Sequence, residues 1–100
     1  MKYNKLVRDK IPQYIKNKGG TPITHIAADK EYWQKLKEKL QEEVNEFQES
    51  ESIEEIADIL EVIDAMCGYK KFDKGKLQKV KNEKAKKRGK FKDKIILEES

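Results

Sequence analysis

Cysteine, histidine and long apolar runs are all scarce in this chain, and each scarcity closes off a class of explanation. One cysteine, Cys67, stands in 100 residues, so an internal disulfide is excluded. Its place in a helical apolar stretch predicts a plain core residue. One histidine, His25, lies in a β-branched stretch with no second histidine or nucleophile nearby in sequence. A structural role is expected for it rather than catalysis. No apolar run approaches the roughly 18 residues of a membrane span. Met1-Lys2-Tyr3-Asn4-Lys5 lacks the apolar stretch of a signal peptide, so a cytoplasmic, reducing address is the expectation.

What is abundant is charge, and it is segregated. From Glu38 to Asp64 there are eleven acids and one base, Lys39; from Lys70 to Lys94 there are thirteen bases and three acids. One block is near −10 and the next near +10. Such blocks either cancel across a fold or bring a cation site and a phosphate site into one cleft. Charged residues reach 42%, yet the apolar 36% is clustered rather than diluted, which argues against disorder. The length suits one domain, residues 1–100, whose small core would gain from pairing with another subunit.

The pattern predicts an all-α, four-helix, bundle-like fold. A first helix is expected from Arg8 to Asn17, with Pro12 tolerated in the first turn and Gly19-Gly20 ending it. A second runs from an Asp29 N-cap to Gln48, with Trp33, Leu36, Leu40, Val44 and Phe47 at three- and four-residue steps. The third opens at Ser52 and reaches Gly68. It is apolar around most of its circumference, so it is expected to be the most buried. The fourth runs from Asp73 to Gly89, with Leu77 and Val80 as its few apolar anchors. Pro22–Ile26 and Phe91–Leu97 are β-rich enough to predict a small two-stranded patch.

The acidic block has internal order. Residues three apart on a helix project from nearly the same side. Glu43 and Glu46 therefore pair on the second helix, and Glu55 and Asp58 on the third. A short connection makes the two helices an antiparallel hairpin and sets Glu46 level with Glu55, and Glu43 level with Asp58. Four carboxylates converging there repel, and a hard divalent cation with oxygen ligands would relieve them. The plainer reading is a set of solvated helix faces, with Glu55 only the capping-box partner of Ser52. Glu42, Glu49, Glu51 and Glu54 read as surface residues. Glu61 and Asp64 face either solvent or the metal site.

In the basic block, Lys84 and Arg88 are four apart and share a face, as a phosphate-binding pair would. Bases in a last helical turn are also favoured by the helix dipole alone. Nucleic acid is a weaker alternative. Few aromatics interleave with the lysines, and the acidic block would repel a polyanion.

Three blocks together resemble the MazG-like, all-α nucleoside triphosphate pyrophosphohydrolases, and within them the phosphoribosyl-ATP pyrophosphohydrolase-like branch. The first is Tyr3-Asn4-Lys5-Leu6-Val7-Arg8-Asp9-Lys10-Ile11-Pro12. The second is Glu42-Glu43-Val44-Asn45-Glu46 followed by Glu55-Ile56-Ala57-Asp58. The third is Lys84 to Phe91, where Lys90 stands in place of the second glycine common in that branch. The resemblance implies Mg²⁺ held by Glu43, Glu46, Glu55 and Asp58, with Mn²⁺ able to substitute. It implies that Lys84 and Arg88 contact phosphates and that Asn4, Lys5 and Arg8 line the nucleotide cleft. It further implies a homodimer or homotetramer that hydrolyses a nucleotide between its α and β phosphates, in nucleotide-pool house-cleaning. The alternatives are a non-catalytic helical interaction module and a lysine-driven nucleic-acid binder.

Overall fold

Four helices and no strand are formed in the computed structural model, which describes residues 4–100. The helices are α1 (Ile11–Asn17), α2 (Asp29–Ser50), α3 (Ile53–Lys70) and α4 (Lys74–Arg88). Tyr3, within the resembled N-terminal block, lies outside the described residues. Among the described residues no helix is long and apolar enough to cross a membrane.

Local chemistry accounts for the helix ends. Pro12 sits in the first turn of α1, where its missing N–H goes unneeded. After α1, Gly19 takes the left-handed conformation at φ 88° and the Gly20 N–H returns to the Ile15 carbonyl at 2.9 Å. Asp73 caps α4 by accepting from the Gly75 N–H at 3.0 Å. Two caps differ from expectation. Ala28 rather than Asp29 is the N-cap of α2, so Asp29 instead supplies negative charge to the first turn. Ser52 caps α3 in position but makes no side-chain cap bond, and the capping box with Glu55 does not form.

The α2–α3 hairpin is the packed unit. Two residues, Glu51 and Ser52, connect the helices, so the chain reverses at once. Glu51 adopts a left-handed φ of 52° to do so, and its N–H closes on the Phe47 carbonyl at 2.7 Å. The predicted stripe faces α3: Leu36 is buried, and Leu40, Val44 and Phe47 are half-buried. Val62 and Cys67 of α3 are buried opposite, with Ile59, Ile63 and Met66 half-buried. At the far end of the hairpin Trp33 stacks on Tyr69, ring centroids 5.0 Å apart, and Tyr32 meets the same ring edge-on. Cys67 is thus the core residue its position suggested.

Three expectations need correction. The third helix is not buried all round, because Ile53, Ile56 and Leu60 face solvent. Among the described residues its apolar packing is against α2, while Arg8 and Lys74 touch its acids. Leu77 and Val80 do not anchor α4: both side chains are exposed, and the helix meets the hairpin through the Lys74–Asp64 pair at 3.5 Å. The β patch does not form either. Ile23, at 97% exposure, and Ile95, at 81%, have no apolar surface beneath them, and two strands alone are marginal in water.

The open arrangement has a measurable consequence. A compact protein of 11.8 kDa exposes about 5,900 Å², whereas this chain exposes 9529 Å². Its radius of gyration is 17.8 Å, against about 13 Å for a compact 100-residue domain. Much of the excess is apolar, on α3, α4 and the tail.

Candidate metal centre

The hairpin places its acids on the inner faces of the two helices. Glu43 follows Leu36 by seven residues, two turns along the same stripe, and so is drawn under the core. It is 5% exposed. Asp58 and Glu55 come from the first two turns of α3, directly across the connection, and both are half-buried. Oxygens of Glu43, Glu55 and Asp58 lie within 4.8 Å of one another. Glu42, Glu43 and Glu46 form a second group at the same spacing. Glu43 is the shared member. Glu46 is exposed at the rim, still near enough to act on Glu55.

Two oxygens in this cluster have nothing to bond. Glu43 Oε2 and Glu55 Oε2 are sealed from solvent without a hydrogen-bond partner among the described residues. A buried acceptor left unpaired is costly, more so when charged. The strain is visible in Glu55. Desolvation, and then the adjoining Glu43 and Glu46 carboxylates, push its carboxyl from 4.5 up to about 7. Its surface exposure is intermediate, but the atom that matters is covered.

Bases approach only from the edges. Lys39 Nζ lies 3.3 Å from both Glu42 and Glu43 Oε1. Lys5 Nζ donates to Glu42 at 2.9 Å, holding that carboxyl below its usual value. Arg8 donates to Asp58 Oδ1 at 2.7 Å and lies 3.8 Å from Glu61. The more exposed Lys5 and Arg8 pairs contribute about 0–1 kcal/mol each, whereas the Lys39–Glu43 pair is mostly buried. None reaches the two orphaned oxygens.

The donor set fits Mg²⁺ or Mn²⁺. It is all carboxylate oxygen, as hard cations prefer. Ligand oxygens of a Mg²⁺ octahedron stand about 2.9 Å apart when adjacent and about 4.2 Å when opposite, so three oxygens within 4.8 Å of one another would close inward onto the ion by side-chain rotation. A cation among the three would also partner the two orphaned atoms.

The structure thus brings Glu43, Glu55 and Asp58 together, with Glu46 at the rim, and brings Lys5 and Arg8 onto the same cluster. Asn4 lines a cleft of about 200 Å³ between the N-terminal arm and α2, beside Lys5 and Lys39. Lys84 and Arg88 are not brought there. Among the described residues neither pairs with a carboxylate, because α4 has no apolar face to dock it. Glu42, read from the sequence as a surface acid, belongs to the cluster. Lys39 was the signal for it, the one base in the acidic block, three residues before Glu42 and four before Glu43. His25 is exposed and paired with Glu31 at 3.0 Å, away from this chemistry.

Comparison with known proteins adds little. No protein-family profile matches the chain. No solved structure matches it. A Mycolicibacterium smegmatis protein described as uncharacterized is 45% identical over 47 residues. That stretch is 47% of this chain and 48% of the relative, so the chain spans about half the length of the protein it matches.

Proposed function

We propose that this chain is a Mg²⁺-dependent nucleotide pyrophosphohydrolase of the MazG-like kind, splitting a nucleotide between its α and β phosphates into a nucleoside monophosphate and pyrophosphate. One observation carries the reading. Two sealed, unpartnered carboxylate oxygens, on Glu43 and Glu55, sit in a triad with Asp58 that suits a hard divalent ion. The order of the N-terminal, paired acidic and basic blocks supports the nucleotide half of it.

Glu43, Glu55 and Asp58 would hold the ion, with Glu46 completing the set from the rim. A bound Mg²⁺ supplies Lewis-acid polarisation of the phosphate and lowers the pKa of an attacking water. The protein's own groups do the rest. A carboxylate beside the ion that does not ligate it would accept the water's proton. Arg8 and Lys5 enter from the N-terminal arm and offer donors to phosphate oxygens. Lys84 and Arg88 would offset charge on the departing pyrophosphate. Within one chain α4 lies apart from the cluster, so that role calls for a second copy or for redocking of α4.

The same reading includes a homodimer or homotetramer. It is supported by roughly 3,600 Å² of surface beyond what a compact chain of this mass exposes. The exposed Ile53, Ile56 and Leu60 of α3 are the natural contact.

The test is a nucleotide panel with Mg²⁺ in H₂¹⁸O, followed by ³¹P NMR. The reading expects pyrophosphate as product and the heavy oxygen on the nucleoside monophosphate. Inert nucleotides throughout the panel would point to a non-catalytic helical module. DNA or RNA binding with a steep salt dependence would point to the lysines of α4 instead.

A further inference from the structure

The N-terminal arm, residues 4–10, is stitched to both helices of the hairpin, by Lys5 to Glu42 on α2 and by Arg8 to Asp58 on α3. The two contacts are not alike. Lys5 holds an acid at the outer edge of the cluster. Arg8 holds Asp58, a member of the candidate triad itself, through its Oδ1 at 2.7 Å. Among the described residues the other base on the triad is Lys39, which reaches Glu43 Oε1 from its own helix. These two cations satisfy the triad's edges and leave its centre, Glu43 Oε2 and Glu55 Oε2, unpaired.

A divalent ion at that centre changes the balance for Arg8. It would bring two positive charges within a few ångströms of the guanidinium and compete with it for Asp58. Arg8 can yield cheaply. Its side chain is 54% exposed, so little packing holds it, and Glu61 lies 3.8 Å away as a second resting place outside the triad. A freed guanidinium at the mouth of the site is a planar fork suited to phosphate oxygens.

We propose that Arg8 is an exchangeable counter-ion, holding Asp58 in the metal-free protein, released when the cation binds, and then turned onto the phosphates of the incoming nucleotide. This rests on the metal-centre reading above. It adds an order of loading, cation before nucleotide, and a coupling in which each ligand tightens the other. That coupling must be reciprocal.

The test is isothermal titration of the full chain with Mn²⁺, comparing the native protein with Arg8→Gln and Arg8→Lys. Removing one positive charge about 5 Å from a divalent site in a water-exposed setting should tighten Mn²⁺ about 5–20-fold at low salt, and salt should shrink the gap. Arg8→Lys keeps the charge and should stay near native Mn²⁺ affinity. The second arm titrates inorganic pyrophosphate with and without excess Mg²⁺. The native chain should bind it more tightly with Mg²⁺, and Arg8→Gln should lose most of that gain. If Arg8→Gln binds Mn²⁺ no more tightly than native, or keeps the full Mg²⁺-dependent gain, the exchange does not occur and Arg8 merely braces Asp58. If neither protein binds Mn²⁺, the proposal falls together with the metal centre. Equal Mn²⁺ binding by both overturns the exchange alone.

Discussion

Replacing Glu43 with glutamine separates a metal ligand from an ordinary buried acid. The change keeps the shape of the side chain and removes its charge. In the metal-free protein Glu43 is 5% exposed, and its Oε2 has no partner. An unsatisfied buried group of this kind costs about 1–3 kcal/mol, and an amide N–H₂ in its place can donate to Glu55. Against this stands the loss of one Lys39 contact at 3.3 Å, and Lys39 keeps Glu42 at the same distance. The net expectation is a metal-free protein more stable by about 1 kcal/mol, or about 4–8 °C in Tm for a chain this size. The response to cation should reverse. At a Mg²⁺ concentration of about 100 times Kd the native protein gains about 2.7 kcal/mol, and Glu43→Gln should gain little of it. Differential scanning fluorimetry with EDTA and with Mg²⁺ reads both numbers. A variant that melts lower than native in EDTA, yet gains as much from Mg²⁺, would refute the reasoning.

Further outcomes follow from the same geometry. Asp58→Asn and Glu46→Gln should fold normally, by circular dichroism, and lose Mg²⁺-dependent pyrophosphate release; full activity in both would remove the site. Because the Glu55 carboxyl is raised to about 7 from 4.5, the native state binds more protons than the unfolded chain between those values. Metal-free stability, followed by urea titration, should therefore fall as pH rises from about 4.5 through 7. Mg²⁺ should flatten that slope, and an unchanged slope would mean the cation binds elsewhere. The exposed apolar face of α3 should bury itself between copies. Sedimentation equilibrium is expected to give at least twice 11.8 kDa, and Ile56→Glu with Leu60→Glu should shift it toward monomer. A monomeric native chain would contradict this.

The helices were legible because each carries its own period. The stripe from Trp33 to Phe47 fixed which side of α2 faces α3, and Pro12, Gly19 and Asp73 marked ends by chemistry that needs no tertiary context. The carboxylate pairs were legible for the same reason, since a three-residue step on either side of a two-residue connection leaves little freedom. What sequence could not carry was partnership. The apolar circumference of α3 promised burial, but among the described residues only α2 packs along it, and Leu60 stays outside. Leu77 and Val80 had too little apolar company to dock α4. The β-branched segments at Ile23 and Ile95 lacked a surface to pair upon. Glu42 shows the reverse case, an acid read as a surface residue that joins the cluster because Lys39 of its own helix and Lys5 of the N-terminal arm both close on it.

A crystal grown with Mn²⁺ and measured at the manganese absorption edge addresses the metal centre most directly. The expected anomalous peak lies between α2 and α3, ligated by Glu43, Glu55 and Asp58, with the guanidinium of Arg8 withdrawn from Asp58. Saturating Mn²⁺ that leaves no peak there, with Arg8 and Lys39 still on their present carboxylates, would contradict the account.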